Sequence, residues 1–189
     1  FLTALKNTPE RSMALDYQHG EQSYFIPDSL KKLWTVIKDN PGAQFVCGGT
    51  DLSLSITKRF ESPPLLISVE AIETLHQFVE HDNHFEIGAA VDLARLESLC
   101  ASTLAPITRM LRFFGSRQIK HRASIGGNIC NASPIEDLPP ILIALGSEII
   151  LSSQSGQRRL ALEDFFLDYR KTALQEGEIL SGIIIPKIP

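Results

Sequence analysis

The chain has 189 residues, 43% hydrophobic and 21% charged, with 18 Lys and Arg against 22 Asp and Glu for a formal net charge of −4. These are globular proportions, and the length suits one domain or two small lobes around a shared cleft. A mildly acidic chain without a block of like charge is not built to hold nucleic acid or an anionic membrane. The longest apolar run, Ile141–Leu145, falls far short of the ~20 residues of a membrane span.

Residues 1–23 are polar and weakly periodic and read as a linker or arm from an upstream domain; the chain opens at Phe1, with neither an initiator Met nor a signal-peptide pattern. Order is expected from Tyr24. Asp28 or Ser29 caps a helix whose apolar residues Leu30, Leu33, Trp34 and Ile37 follow helical spacing, and Asn40-Pro41-Gly42 stops it. Gln44–Cys47 is a short buried strand, Gly48-Gly49-Thr50-Asp51 a loop, Leu52–Lys58 a short helix and Leu65–Val69 a strand. These make a first lobe over 24–75.

The second lobe, 76–189, opens with a hairpin, His76–Glu80 and His84–Ile87 around Asp82-Asn83. His81 and His84 have no cysteine or HExxH motif beside them, and read as polar residues flanking that turn rather than as metal ligands. Two helices follow, carrying Leu93, Leu96 and Leu99, then Ile107, Met110, Leu111 and Phe114. The stretch 124–140, SIGGNICNASPIEDLPP, reads as a second Gly-rich loop leading into a short apolar helix at Ile141–Leu145. A hairpin over Ser155-Gly156 and a last strand, Ile179–Ile185, complete an α+β chain.

The two Gly-rich segments are where chemistry is expected. In FVCGGTDLS (45–53), strand, loop and helix follow one another, so backbone N–H groups and a helix start converge, as suits a pyrophosphate; a plain tight turn would look the same. Around Ser124, Gly126, Gly127, Asn128, Asn131 and Ser133 many donors and acceptors crowd into ten residues, either for a ligand or for the loop's own backbone. Arg112, Arg117, Lys120, His121 and Arg122 read as a solvated basic face. No GxSxG elbow or triad is present, so any chemistry belongs to a bound cofactor. Cys47, Cys100 and Cys130 are too scattered for a disulfide framework or metal cluster, which points to a reducing, cytoplasmic setting.

FVCGGTDLSL (45–54), IGAAVDL (87–93), the long stretch 111–151 containing SIGGNICNASPIEDLPP, and DYRKTALQEGEIL (168–180) resemble the FAD-binding domain of xanthine dehydrogenase, a molybdenum hydroxylase. The resemblance runs from about residue 24 to 189, and Ala-Ser-Pro-Ile sets it closer to xanthine dehydrogenase than to carbon-monoxide dehydrogenase relatives. It implies the two-lobed flavin fold of the vanillyl-alcohol oxidase group (PCMH type): a small α/β lobe, then a larger lobe with a mainly antiparallel sheet and helices. It further implies that Phe45, Val46, Cys47, Gly48, Gly49, Thr50, Asp51 and Leu52 wrap the FAD diphosphate. Ser124, Gly127 and Asn128 add contacts from the second lobe, and Asp137 holds a polar end of the cofactor. Ile87 lies beside the isoalloxazine, where mammalian relatives carry an aromatic residue, Leu180 on the adenine side, and Lys171 in the matching Tyr-Arg-Lys segment. No side chain is implied to be catalytic.

By the same resemblance, an iron–sulfur domain stands upstream, a molybdenum-binding subunit with molybdopterin is the partner, and NAD+ accepts the electrons. The domain would then be one oxidoreductase component, with a C-terminal subdomain of the family missing from this chain. The flavin subunit of another molybdenum hydroxylase, acting on an aldehyde or N-heteroaromatic, is the runner-up. A flavin-free assembly module of the same fold is the rival from another class.

Overall fold

The computed structural model describes residues 14–187. It opens on an antiparallel hairpin, β1 (Leu15–His19) and β2 (Gln22–Ile26). Order therefore begins inside the stretch expected to be a linker; residues 1–13 of that stretch lie outside the described residues. Every β1 residue is exposed, so this edge strand carries no buried alternate positions that would have marked it in the sequence.

Ser29 caps helix α1 (Leu30–Asp39) by accepting from the Lys32 amide at 3.4 Å, and the helix buries Leu33. Strand β3 (Gln44–Val46), helix α2 (Leu52–Arg59) and strand β4 (Leu65–Ser68) follow. The four strands form one sheet in the order β1-β2-β4-β3, with β2 and β3 both parallel to β4. Phe25, Leu33, Ile67, Ile72 and Leu75 make its core.

A 3-10 turn at Glu73–His76 leads into β5 (Phe78–Glu80) and β6 (His84–Gly88). Five short helices come next: α3 (Leu93–Leu99), α4 (Ala105–Leu111), α5 (Arg117–Lys120), α6 (Ile125–Asn131) and α7 (Leu138–Ala144). Then come β7 (Glu148–Ser153), β8 (Gly156–Ala161), the small pair β9 (Phe166–Asp168) and β10 (Lys171–Thr172), and β11 (Ile179–Pro186). A fully antiparallel sheet runs β5-β6-β11-β7-β8. The helices pack on its inner face around Ile87, Leu93, Leu111, Ile125, Ile129, Leu142 and Phe165.

Two findings depart from the sequence reading. The second Gly-rich segment is a helix over 125–131, not a loop: Ser124 caps it, its Oγ accepting from the Gly127 amide at 3.0 Å. Its glycines serve packing, because a β-carbon on Gly126 would lie 2.6 Å from Ala89 Cβ. Tertiary approach here overrides the poor helix propensity of Gly-Gly. Second, Ala90 and Ile179 lie beyond residue 75 yet pack into the first core. A division at 75/76 thus follows the sheets but not the packing.

Candidate functional site

Between the two sheets runs a cleft of about 760 Å³. The first lobe contributes the end of β3 and the start of α2, and the second contributes α6, the segment after it and the beginning of β11. Of the residues singled out in the sequence, Phe45, Val46, Cys47, Gly49, Thr50, Asp51 and Leu52 line one wall, and Ser124, Gly127, Asn128 and Leu180 the other. The two Gly-rich segments, far apart in sequence, face each other across it.

Gly48 holds the lobes together. Its φ of 73° is open to glycine, and a β-carbon would sit 1.8 Å from the Arg122 carbonyl oxygen. Its amide donates to Glu70 Oε1, which also accepts from Arg122 Nη2 at 2.8 Å. The Gly48 N–H therefore points at Glu70 and not into the cleft, so Gly48 alone interrupts a wall that runs from Phe45 to Leu52. Arg122 leaves the expected basic face for this clamp. Arg112, Arg117, Lys120 and His121 surround a separate hollow of about 670 Å³, where Lys120 is already held by Glu97 at 2.5 Å and the Leu111 carbonyl at 3.0 Å.

Three further residues are not brought to the cleft. Ile87 is fully buried in the second core. Alternation along β6 puts Phe85 and Ile87 on the core face, so the side chain cannot reach the cleft from that register. Asp137 is exposed at the N-terminal end of α7, and Lys171 is exposed and 3.7 Å from Asp168.

In their place the cleft holds Ala89, Arg59, Phe114, Glu136 and Arg170. Phe114 and Phe45 bring aromatic rings to it. Phe114 lies just past α4, where helical periodicity assigned it to a core face; nothing local in Phe113-Phe114-Gly115 says which ring turns inward. Arg170 adopts a left-handed φ of 52°, rare for a non-glycine residue, at the turn between β9 and β10.

The floor of the cleft is polar and incompletely satisfied. Asn128 Oδ1 and Glu136 Oε2 are buried without a hydrogen-bond partner among the described residues, while Asn131 Nδ2 donates to Glu136 Oε1 at 2.7 Å. Burial pushes the Glu136 carboxyl up to about 7, against the opposing pull of the Asn131 hydrogen bond. Burial also raises the Cys47 thiol, despite its hydrogen bond with Ser124, and pushes Cys130 up to about 12. Neither cysteine is an activated thiolate. Glu178, also at the cleft, is held below the usual carboxylate range by Arg158, which contacts it through two nitrogens at 2.8 Å.

The family described as the FAD binding domain in molybdopterin dehydrogenase matches residues 16–188. The chain belongs to that family. It is 32% identical to the xanthine dehydrogenase/oxidase of Rattus norvegicus over 98% of its length and 30% identical to the xanthine dehydrogenase of Emericella nidulans over 91%. It spans only 15% and 13% of those two proteins. Among solved structures, a carbon monoxide dehydrogenase chain of Hydrogenophaga pseudoflava superposes with a TM-score of 0.85 at 25% identity, covering 92% of this chain and 61% of that one. A carbon monoxide dehydrogenase chain of Oligotropha carboxidovorans gives 0.84 at 27% identity, with 92% and 62% covered. The FAD-binding family and the mixed α+β architecture agree with the expectation set by the glycine motifs. Among the described residues no helix is long and apolar enough to cross a membrane.

Proposed function

We propose that this chain is the flavin-holding electron-transfer domain of a xanthine dehydrogenase-like molybdenum hydroxylase. It would take electrons from iron–sulfur clusters held elsewhere and deliver them to NAD+, with the molybdenum site on another domain or subunit. The observation that carries the reading is the cleft floor. Asn128 Oδ1 and Glu136 Oε2 are desolvated without partners among the described residues, which costs about 1–3 kcal/mol each unless a ligand satisfies them. A dinucleotide bearing hydroxyl and ring N–H donors fits that need, and the cleft lies within the size range of cofactor sites.

In this reading the backbone from Gly49 to Leu52 approaches the diphosphate, with Arg59 and Arg170 as the cations at the cleft. Ser124, Gly127 and Asn128 contact the cofactor from α6. Leu180 gives the adenine end an apolar surface, and Phe114, rather than Ile87, offers a ring to the isoalloxazine. Asp137 and Lys171 have no place on the wall. When bound, the flavin supplies the redox chemistry, while the chain orients it, excludes water and sets its polarity. A second reading, the flavin subunit of a hydroxylase with another substrate, draws support from the likeness to the carbon monoxide dehydrogenase chains. It changes the partner and not the cleft.

Titration of flavin-free protein with FAD tests the proposal. Saturable one-to-one quenching of flavin fluorescence is expected, with FMN weaker because it lacks the adenine that meets Leu180. NADH should then bleach the bound flavin. Absence of saturable FAD binding would sink the flavin reading, and bound flavin inert to NADH would remove NAD+ from it.

A further inference from the structure

Away from the cleft, at the turn of the β5–β6 hairpin, three side chains converge for which the flavin reading has no use. His81 Nε2 lies 3.8 Å from Glu86 Oε2, and one ligand atom from each of His81, His84 and Glu86 falls within 4.8 Å of the other two. The two imidazoles stack face to face, with centroids 4.3 Å apart and planes inclined by 15°. We propose that His81, His84 and Glu86 form a binding site for a divalent transition-metal ion of the zinc class, clipping the hairpin across its open end.

The backbone builds the juxtaposition. The His81 amide donates to the His84 carbonyl at 2.9 Å, continuing the register in which Glu80 opposes Phe85. His81 and His84 thus sit opposite each other across the strand pair. His84 and Glu86, two apart on β6, share one face, while Phe85 between them turns into the core and is 3% exposed. All three candidate ligands therefore stand on the outer face of the sheet.

The ligand chemistry is selective. Two imidazoles and one carboxylate suit zinc, nickel or copper and not calcium or magnesium, which take oxygen ligands. Three protein ligands leave a position for water, as in open zinc sites. His84 Nδ1 is 2.7 Å from Asn83 Oδ1; donating there leaves Nε2 its lone pair, the outer-shell arrangement that orients ligating histidines. A tetrahedral ion with bonds of about 2.0–2.1 Å holds its ligand atoms about 3.3 Å apart, so the imidazoles must turn out of their stack and the three side chains draw together on binding. His81 and Glu86 are about two-fifths exposed and free to do so. The neighbouring cation, Lys187, is engaged by Glu80 at 2.7 Å and stands over the Phe85 ring, so it does not neutralise Glu86.

Such an ion ties the end of β5, an edge strand paired with β6, and binding that favours the folded chain raises its melting temperature. The experiment uses the full chain stripped by a chelator and titrated with Zn2+ against a chromophoric indicator. Co2+ serves as a spectroscopic probe of coordination. One ion per chain is expected, with a tetrahedral cobalt spectrum and a rise in melting temperature. His81→Ala, His84→Ala and Glu86→Gln should each weaken binding at least tenfold, and Asn83→Ala by about tenfold through the lost outer-shell bond. These side chains are outside both cores, so circular dichroism and the metal-free melting temperature should not change. No binding at stoichiometric micromolar metal would overturn the site. So would binding that survives in the double variant His81→Ala/His84→Ala, since the ion would then lie elsewhere, for instance on Cys47.

Discussion

The two lobes reach stability by different routes. The second has a five-stranded antiparallel sheet with five helices on its inner face and a continuous core from Phe85 to Ile185. The first has a short mixed sheet whose outer strand β1 is exposed along its length, and it borrows Ala90 and Ile179 to complete its core. The larger lobe can be a rigid wall. The smaller is joined to it at a seam where Gly48, Glu70 and Arg122 meet. Affinity for the cofactor should therefore respond most to the seam, and global stability most to the second core.

Gly126→Val presses hardest on that contrast. Its side chain would collide with Ala89 inside the rigid wall, costing about 3 kcal/mol or more, and a urea titration should show the midpoint fall or the protein fail to accumulate. Gly48→Ala comes next. A methyl group against the Arg122 carbonyl must push the lobes apart, so FAD affinity should drop at least tenfold while the second core melts nearly as before. Equal losses in both measurements would mean that the lobes form one cooperative unit.

A matched pair separates the wall from the cleft. Phe114→Ala should weaken FAD binding by about 0.5–1.5 kcal/mol beyond lost area and brighten the bound flavin, as expected for a ring removed from contact. Ile87→Phe should do the reverse: lower the melting temperature through overpacking, by about 1–3 kcal/mol, and leave flavin emission alone. Quenching restored or lost by Ile87→Phe would return that residue to the cofactor.

Titration should give the smallest effect. The Glu136 carboxyl lies above its unfolded value, so its contribution is complete below the ordinary carboxylate range and fades as pH rises through about 7. Flavin-free protein should lose up to about 1 kcal/mol over that window, since the group is only partly buried, and Glu136→Gln should flatten the slope. Glu178, lowered by Arg158, works in the opposite sense, with stability lost as pH falls through its depressed range.

Periodicity and punctuation revealed most of the frame. Leu30, Leu33, Trp34 and Ile37 marked α1, Ser155-Gly156 marked the β7–β8 turn, and the apolar run at 179–185 marked β11. The misses share a cause. Strand β1 has no buried face, and α6 is helical because Gly126 lets it press on Ala89. The cleft lining was legible where glycines punctuate the chain, at Gly49 to Leu52 and Ser124 to Asn128. It was illegible where a side chain's direction decides, since one step of strand register turns Ile87 from cleft to core. The Gly48–Arg122 contact joins distant segments and leaves no local mark.

β11 is the last strand of the described chain, yet it lies in the middle of the five-stranded sheet, between β6 and β7, and its first residue fills the other lobe's core. During synthesis neither lobe can close until this segment has left the ribosome. Until then β6 and β7 wait with bare edges, and the contacts that finish the sheet span nearly the whole second lobe. That makes folding slow and edge-to-edge association a hazard for the nascent chain. Truncation before Ile179 should accordingly yield aggregate rather than a smaller folded domain, which expression of the shortened chain, followed by its partition between soluble and pelleted fractions, would reveal.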